Sequence, residues 1–148
     1  MRIVILLLAA AVAATFAATS RGDLGKKFGP ARVAKLSGAA EVPAGDPNGS
    51  GRAQFRFDVG EGLVCFSITI RGTDPLAAAH IHKAAAGAAG PVVLPLPVPQ
   101  PVAAKVYASK GCVSAARPLI RDMLAHSQTY YYNTHNAKFP AGVVRGQL

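Results

Sequence analysis

The sequence has little of what enzymes use for covalent or acid–base catalysis. Of its 148 residues only seven are acidic and only two are cysteine, and none is tryptophan. The acids are scattered, so no pair of carboxylates is arranged for glycoside hydrolysis. No Gly-x-Ser-x-Gly turn presents a serine nucleophile, and the glycine loop at 87–90 lacks the lysine and hydroxyl residue of a phosphate-binding loop. We therefore expect no enzymatic activity.

No apolar run in the sequence is long enough for a membrane anchor. The longest covers residues 3–18, follows Arg2 and has Thr15 as its only polar residue, whereas a span needs about 20 apolar residues. A basic start, a short apolar run and small residues after it are typical of a secretory signal peptide. We assign residues 1–20 to that leader; a buried N-terminal helix is the weaker alternative. The mature chain is then secreted or periplasmic, with no transmembrane segment.

Cysteine use is limited to Cys65 and Cys112, whose spacing excludes a Cys-x-x-Cys redox motif. An even count in an exported chain favours a structural disulfide between them. Such a bond would stabilise the fold by roughly 4 kcal/mol in the chain-entropy model. Two separate buried thiols are the alternative.

Acidic residues are too few to balance the basic ones, and the formal net charge is +9. This excess favours acidic partners such as anionic envelope polymers. The basic residues are dispersed along the sequence, however, with Lys26 and Lys27 as the only adjacent pair. No interleaving of aromatic and basic residues marks a nucleic-acid groove. We expect no nucleic-acid binding and favour a solvated basic surface over a dedicated site.

Alternation of apolar and polar residues predicts short strands after a flexible lead-in over residues 21–31. The clearest pair of strands flanks a hairpin signal at residues 60–62. The prolines of residues 94–101 lack ladder donors, so this segment is an edge strand or a polyproline connection. We predict one domain over residues 32–148, mostly β: an antiparallel Greek-key or immunoglobulin-like sandwich or barrel of about seven strands with one short helix.

The helix is predicted by an apolar stripe that includes Leu119, Ile120 and Met123, with Ser114 as a candidate N-cap. Proline is tolerated only in the first turn, so Pro118 limits the helix to two or three turns. The predicted strands cover residues 32–37, 52–59, 63–71, 78–83, 91–96, 103–108, 128–134 and 142–147.

Histidines are the most suggestive polar residues of the sequence. His80 and His82 are two apart on a predicted strand, so both side chains leave the same face. His135 shares a face with Asn133 on a later strand. If the two strands are neighbours, three neutral imidazoles meet at one point and leave an open fourth position, which suits Zn²⁺ or copper.

A structural or ligand-orienting polar cluster is the alternative interpretation of the three histidines. The fourth, His126, falls at the end of the predicted helix, where a positive charge favours the dipole, and we assign it no site role. No carboxylate is near His80 in sequence, although Asp74 and Glu41 could approach it in space.

Three stretches of the sequence together resemble the hallmark segments of the CHRD domain, a module named for chordin and found in exported bacterial and eukaryotic proteins. They are LSGAAEVP (36–43), AHIHKAAAGAAGPVV (79–93) and YYYNTHNAKFPAGVVRGQL (130–148). The resemblance implies an immunoglobulin-like or barrel-like β fold in an extracytoplasmic setting. For most bacterial members it implies no established biochemical activity.

The resemblance also maps the polar residues of the family onto this chain. They correspond to His80, His82, Asn133, His135 and Arg145. The chain departs from the family at Ala84, where glycine is usual, and at Val143, where an acidic residue commonly precedes the ending. The second change removes a plausible partner for the terminal arginine.

Residues and resemblance together predict an exported CHRD-type binding module. In this hypothesis the three histidines bind a copper or zinc ion, and Asn133 and Arg145 belong to the polar cluster around it. The alternative is a structural or interaction domain that contacts an extracellular protein or an anionic polymer without a metal.

Overall fold

The computed structural model describes residues 28–148, so the predicted leader and most of the lead-in lie outside the described residues. Within this part of the chain, nine strands and one α-helix follow one another. They are β1 (Arg32–Ser37), β2 (Ser50–Asp58), β3 (Leu63–Arg71), β4 (Ala78–Lys83), β5 (Val92–Pro95), β6 (Gln100–Ala103), β7 (Val106–Ser114), α1 (Arg117–Ala125), β8 (Tyr130–His135) and β9 (Val144–Gln147). No helix among the described residues has the length and apolar character to cross a membrane.

All of these strands hydrogen-bond in a single antiparallel sheet, in the order β5-β4-β8-β9-β1-β2-β3-β7-β6, which curls into a half-barrel. The prediction of a mostly β, antiparallel fold is confirmed. The predicted count of about seven strands is too low. Because the sheet is continuous and curled, the structure favours the barrel form of that prediction over two separate sheets.

The proline-rich segment explains where the sheet ends. Pro95 belongs to β5 and Pro101 to β6, while Pro97 and Pro99 lie between these strands, which are the two edges of the sheet. An edge strand can place proline where no ladder donor is needed. The five steps from Pro95 to Gln100 span at most about 18 Å. The two edges must therefore lie near one another, and a curled sheet satisfies this requirement.

The hydrophobic core occupies the inner face of the curl. On β2 and β3 every second side chain is buried, including Phe55 and Ile68, while the residues between them face outward. Helix α1 closes the core with Ile120 and Met123, which are both fully buried. Because buried and exposed side chains alternate along these strands, one face of each strand packs in the core and the other is available for polar groups.

Two local predictions are wrong. Ser114 does not cap the helix, because it is the last residue of β7; Ala116 occupies the N-cap, and Pro118 lies in the first turn. The strand predicted at 103–108 is interrupted by a turn, in which Lys105 adopts a left-handed φ of 52°. This turn joins β6 to β7, and the small residues around it carry no glycine or asparagine to signal it.

Cys65 and Cys112 lie directly opposite one another on β3 and β7 and form a disulfide. The predicted pairing is therefore confirmed. Both residues lie on the outward face of the sheet, where Cys112 is exposed. The bond ties β3 to β7 without occupying the hydrophobic core.

Candidate metal centre

The pairing of β4 with β8 brings the three predicted histidines together. His80 lies opposite Asn133, and His82 lies opposite Tyr131. His135 follows Asn133 by two residues, so it lies diagonal to His80 on the same face. This face is the outward one, away from the hydrophobic core.

The three rings surround one point. Their centroids are 5.5 Å apart for His80 and His82, 5.2 Å for His80 and His135, and 6.1 Å for His82 and His135. One nitrogen from each ring lies within 4.8 Å of the others. Two nitrogens bound to one ion are at most about 4.2 Å apart, and about 3.4 Å apart in a tetrahedral site. The rings must therefore approach by roughly 0.6 to 1.4 Å to share an ion.

Backbone carbonyls orient two of the rings. Nδ1 of His82 is 2.9 Å from the carbonyl oxygen of Gly90, and Nδ1 of His135 is 3.0 Å from that of Pro140. A carbonyl oxygen only accepts, so each Nδ1 carries a proton and donates it. In the neutral ring Nε2 then keeps its lone pair, which is the arrangement that metal-binding histidines use.

Burial disfavours the charged form of the paired histidines. It lowers the pKa of His80 and of His82 from the ordinary value, and the neighbouring His135 lowers both further. Within residues 28–148, Nδ1 of His80 and Nε2 of His82 are buried and have no hydrogen-bond partner. A buried, unpartnered imidazole nitrogen that carries a lone pair, as Nε2 of His82 does, fits a cation that accepts electron density.

Asn133 lies in the middle of the cluster and is 1% exposed. Its side chain lies beside the Glu41 carboxylate and lowers the pKa of that group, and its amide oxygen is directed toward the histidines. That oxygen is 3.1 Å from Nε2 of His135. Because Nδ1 of this ring already donates to a carbonyl, two acceptors face one another in the neutral state. A proton on Nε2, or a metal cation bound to both atoms from one side, would relieve this contact.

Arg145 fixes the loop that covers the site. Its guanidinium donates to the carbonyl oxygens of Ala85 and Ala88, at 2.8 Å each, and is 3.4 Å from the ring centre of Tyr131. The side chain is 1% exposed, so its charge is removed from water. The loop that includes Gly90 is thus held against β8 and β9.

Glu41 supplies a carboxyl group near the site, where the sequence lacks an acidic residue before its ending. Val143 is instead fully buried in the core, and Glu41 reaches the site from the segment after β1. Burial raises the pKa of Glu41, while its hydrogen bond to Asn133 and the charge of Arg145 lower it. A Cβ at Gly142 would overlap the Glu41 carboxylate, so a larger residue there would displace the side chain of Glu41.

The other residues considered from the sequence lie elsewhere. His126 follows α1 and contacts Asp122, with its Nδ1 2.8 Å from the carboxylate. It is not one of the three clustered histidines among the described residues, and Asp74 is exposed. Of the two carboxylates that could approach in space, only Glu41 is buried beside Asn133 and Arg145.

Comparison with known proteins gives one family. The model of the CHRD domain matches residues 32–148, which is nearly all of the described chain. Neither the curated proteins nor the solved structures contain a match. The family and the disulfide suggest an extracellular setting. The chain belongs to the CHRD domain family.

Proposed function

We propose that this CHRD domain is a secreted or periplasmic binding module that holds one copper or zinc ion through His80, His82 and His135. It has no catalytic turnover of its own. The predicted signal peptide, the family and the disulfide all support a location outside the cytoplasm.

The observation that carries this proposal is the contact between Asn133 and His135. An amide oxygen faces an imidazole nitrogen across 3.1 Å, and that imidazole already donates its proton elsewhere. A cation at this point would accept the lone pairs of three imidazoles. It would also satisfy the two buried nitrogens of His80 and His82 that have no partner among the described residues.

The donor set selects the kind of ion. Imidazole nitrogen is a preferred ligand of zinc and copper, whereas magnesium and calcium prefer several oxygen ligands. The amide oxygen of Asn133, 3.1 Å from Nε2 of His135, is a protein group that could take a fourth position. A solvent or partner ligand could take that position instead, because His80 and His135 are half-exposed.

The alternative is a structural polar cluster, in which His135 is protonated and donates to both Pro140 and Asn133. This form needs no metal. It predicts that histidine substitutions lower the melting temperature equally in the presence of a chelator and of added metal.

Calorimetric titration of Zn²⁺ and Cu²⁺ into chelator-treated protein distinguishes the two. We expect one site in the native protein, weakened by about a hundredfold or more in His82→Ala because a ligand is lost. His126→Ala is the matched control and should bind like the native protein. Equal and negligible binding by the native protein and His82→Ala would remove the metal proposal.

A further inference from the structure

The fold collects basic residues that are dispersed in the sequence. The outward positions of four adjacent strands, β1, β2, β3 and β7, carry five cations, and the one acid among these positions, Asp58, is buried at the end of β2. The five cations, which we call the basic face, are Lys35, Arg52, Arg56, Arg71 and Lys110. All five are exposed. The basic residues that are dispersed in the sequence are therefore brought onto one solvated face by the register of the sheet.

Two of these cations lie directly opposite one another. Lys35 on β1 pairs with Arg52 on β2, and like charges in this position destabilise a sheet. Arg71 on β3 is two residues from Thr69, the partner of Arg52, so it lies diagonal to Arg52. The fold thus keeps three positive charges on neighbouring strands. Their mutual repulsion destabilises the sheet, and a carboxylate at any one of these positions would reduce that repulsion.

The surface between the cations is concave and carries both polar and apolar groups. One depression is lined by Arg52, Thr69 and Arg71, and an adjoining one by Arg56 and Lys110. Gln54 and Ser67 line both depressions. Strands lie about 4.8 Å apart, so the basic face is about 14 Å wide from β1 to β7. This is the size of a few sugar units rather than of a single small anion.

We propose that the basic face binds an acidic polysaccharide, with the cations contacting its carboxylate or sulfate groups and Gln54, Ser67 and Thr69 its hydroxyls. The outward positions of the face carry no aromatic residue, so the stacking platform that single-stranded nucleic acids use is missing. The disulfide on the same face ties β3 to β7 and keeps the cations of these strands in fixed register. This surface uses none of the metal-site residues.

Binding of labelled polygalacturonate, followed by fluorescence anisotropy at several salt concentrations, tests the proposal. We expect the native protein to bind, and Arg52→Gln/Arg71→Gln to bind about tenfold more weakly with a shallower salt dependence. Arg121→Gln/Lys138→Gln removes the same charge from exposed positions elsewhere and should change affinity less than twofold. No binding by the native protein, or equal loss in both double variants, would overturn the proposal.

A single substitution distinguishes an effect on polygalacturonate binding from an effect on stability. Lys35→Gln relieves the like-charge pair, so it should raise the melting temperature while weakening polygalacturonate binding at least twofold. A lower melting temperature, or unchanged binding, would contradict a functional basic face. Stronger binding of a DNA duplex than of polygalacturonate, with the same dependence on Arg52 and Arg71, would also overturn the choice of partner.

Discussion

The ring of Tyr131 lies parallel to that of His82, with centroids 4.7 Å apart and an angle of 8° between the planes. The guanidinium of Arg145 contacts the same tyrosine ring. Since β8 lies between β4 and β9, the two groups reach Tyr131 from neighbouring strands on either side. One aromatic ring thus connects a candidate metal ligand to the arginine that fixes the covering loop.

Replacing Tyr131 by leucine should destabilise the protein by about 2 kcal/mol, because the contacts with His82 and Arg145 are both lost. Tyr131→Phe keeps the ring and loses only the acceptor for the backbone N–H of Gly90, 3.3 Å away. We expect that control to cost less than about 1 kcal/mol. Urea denaturation measures both, and equal losses for the two variants would show that stacking does not contribute.

Arg145→Lys should cost about 3 kcal/mol, because lysine cannot reach the carbonyls of Ala85 and Ala88 together or stack on a ring. The matched control is Arg117→Lys, whose exposed arginine makes a hydrogen bond to Gly60. Its cost should be below about 0.5 kcal/mol. A similar free energy of unfolding for both variants would contradict the role given to Arg145.

Tyr132→Phe should leave the free energy of unfolding unchanged or raise it by up to about 1 kcal/mol. Its hydroxyl is buried with no hydrogen-bond partner among the described residues, and burial raises its pKa. Phenylalanine keeps the ring contact with Phe55, at a centroid distance of 5.8 Å. A loss of stability in chemical denaturation would show that the hydroxyl has a partner, such as a buried water.

The metal-free protein should lose stability as the pH falls below 6.5. The pKa of His80 and of His82 lies below that ordinary value in the folded protein, so the unfolded chain takes up protons first and gains population. The raised pKa of Glu41 acts in the opposite direction. Melting temperatures at pH 7.5, 6.5 and 5.5 should therefore be compared with those of His80→Ala/His82→Ala, in which the decrease is expected to be smaller. If the melting temperature decreased equally in both proteins, the loss of stability at low pH would come from groups other than His80 and His82.

Strands with strict alternation could be predicted from the sequence, and their bounds agree with the structure for residues 63–71 and 78–83. The turn at Lys105 could not, because alanine and lysine do not signal a left-handed residue. The direction of His80 and His82 follows from local spacing alone. Their meeting with His135 depends on β4 pairing with β8, which no local pattern determines.

The surroundings of the histidines were harder to predict. Gly90 and Pro140 act through backbone carbonyls, which have no sequence signature. Glu41 lies far from the histidines in sequence, and only the fold brings it to Asn133. The basic face was missed for the same reason, since register, not sequence proximity, places Lys35 beside Arg52.

X-ray absorption of the zinc-loaded protein tests the central claim most directly. The account predicts three imidazole nitrogens at about 2.0–2.1 Å from the ion, with one fewer in His135→Ala and no change in His126→Ala. A shell of oxygens, or an imidazole count that His135→Ala leaves unchanged, would contradict it.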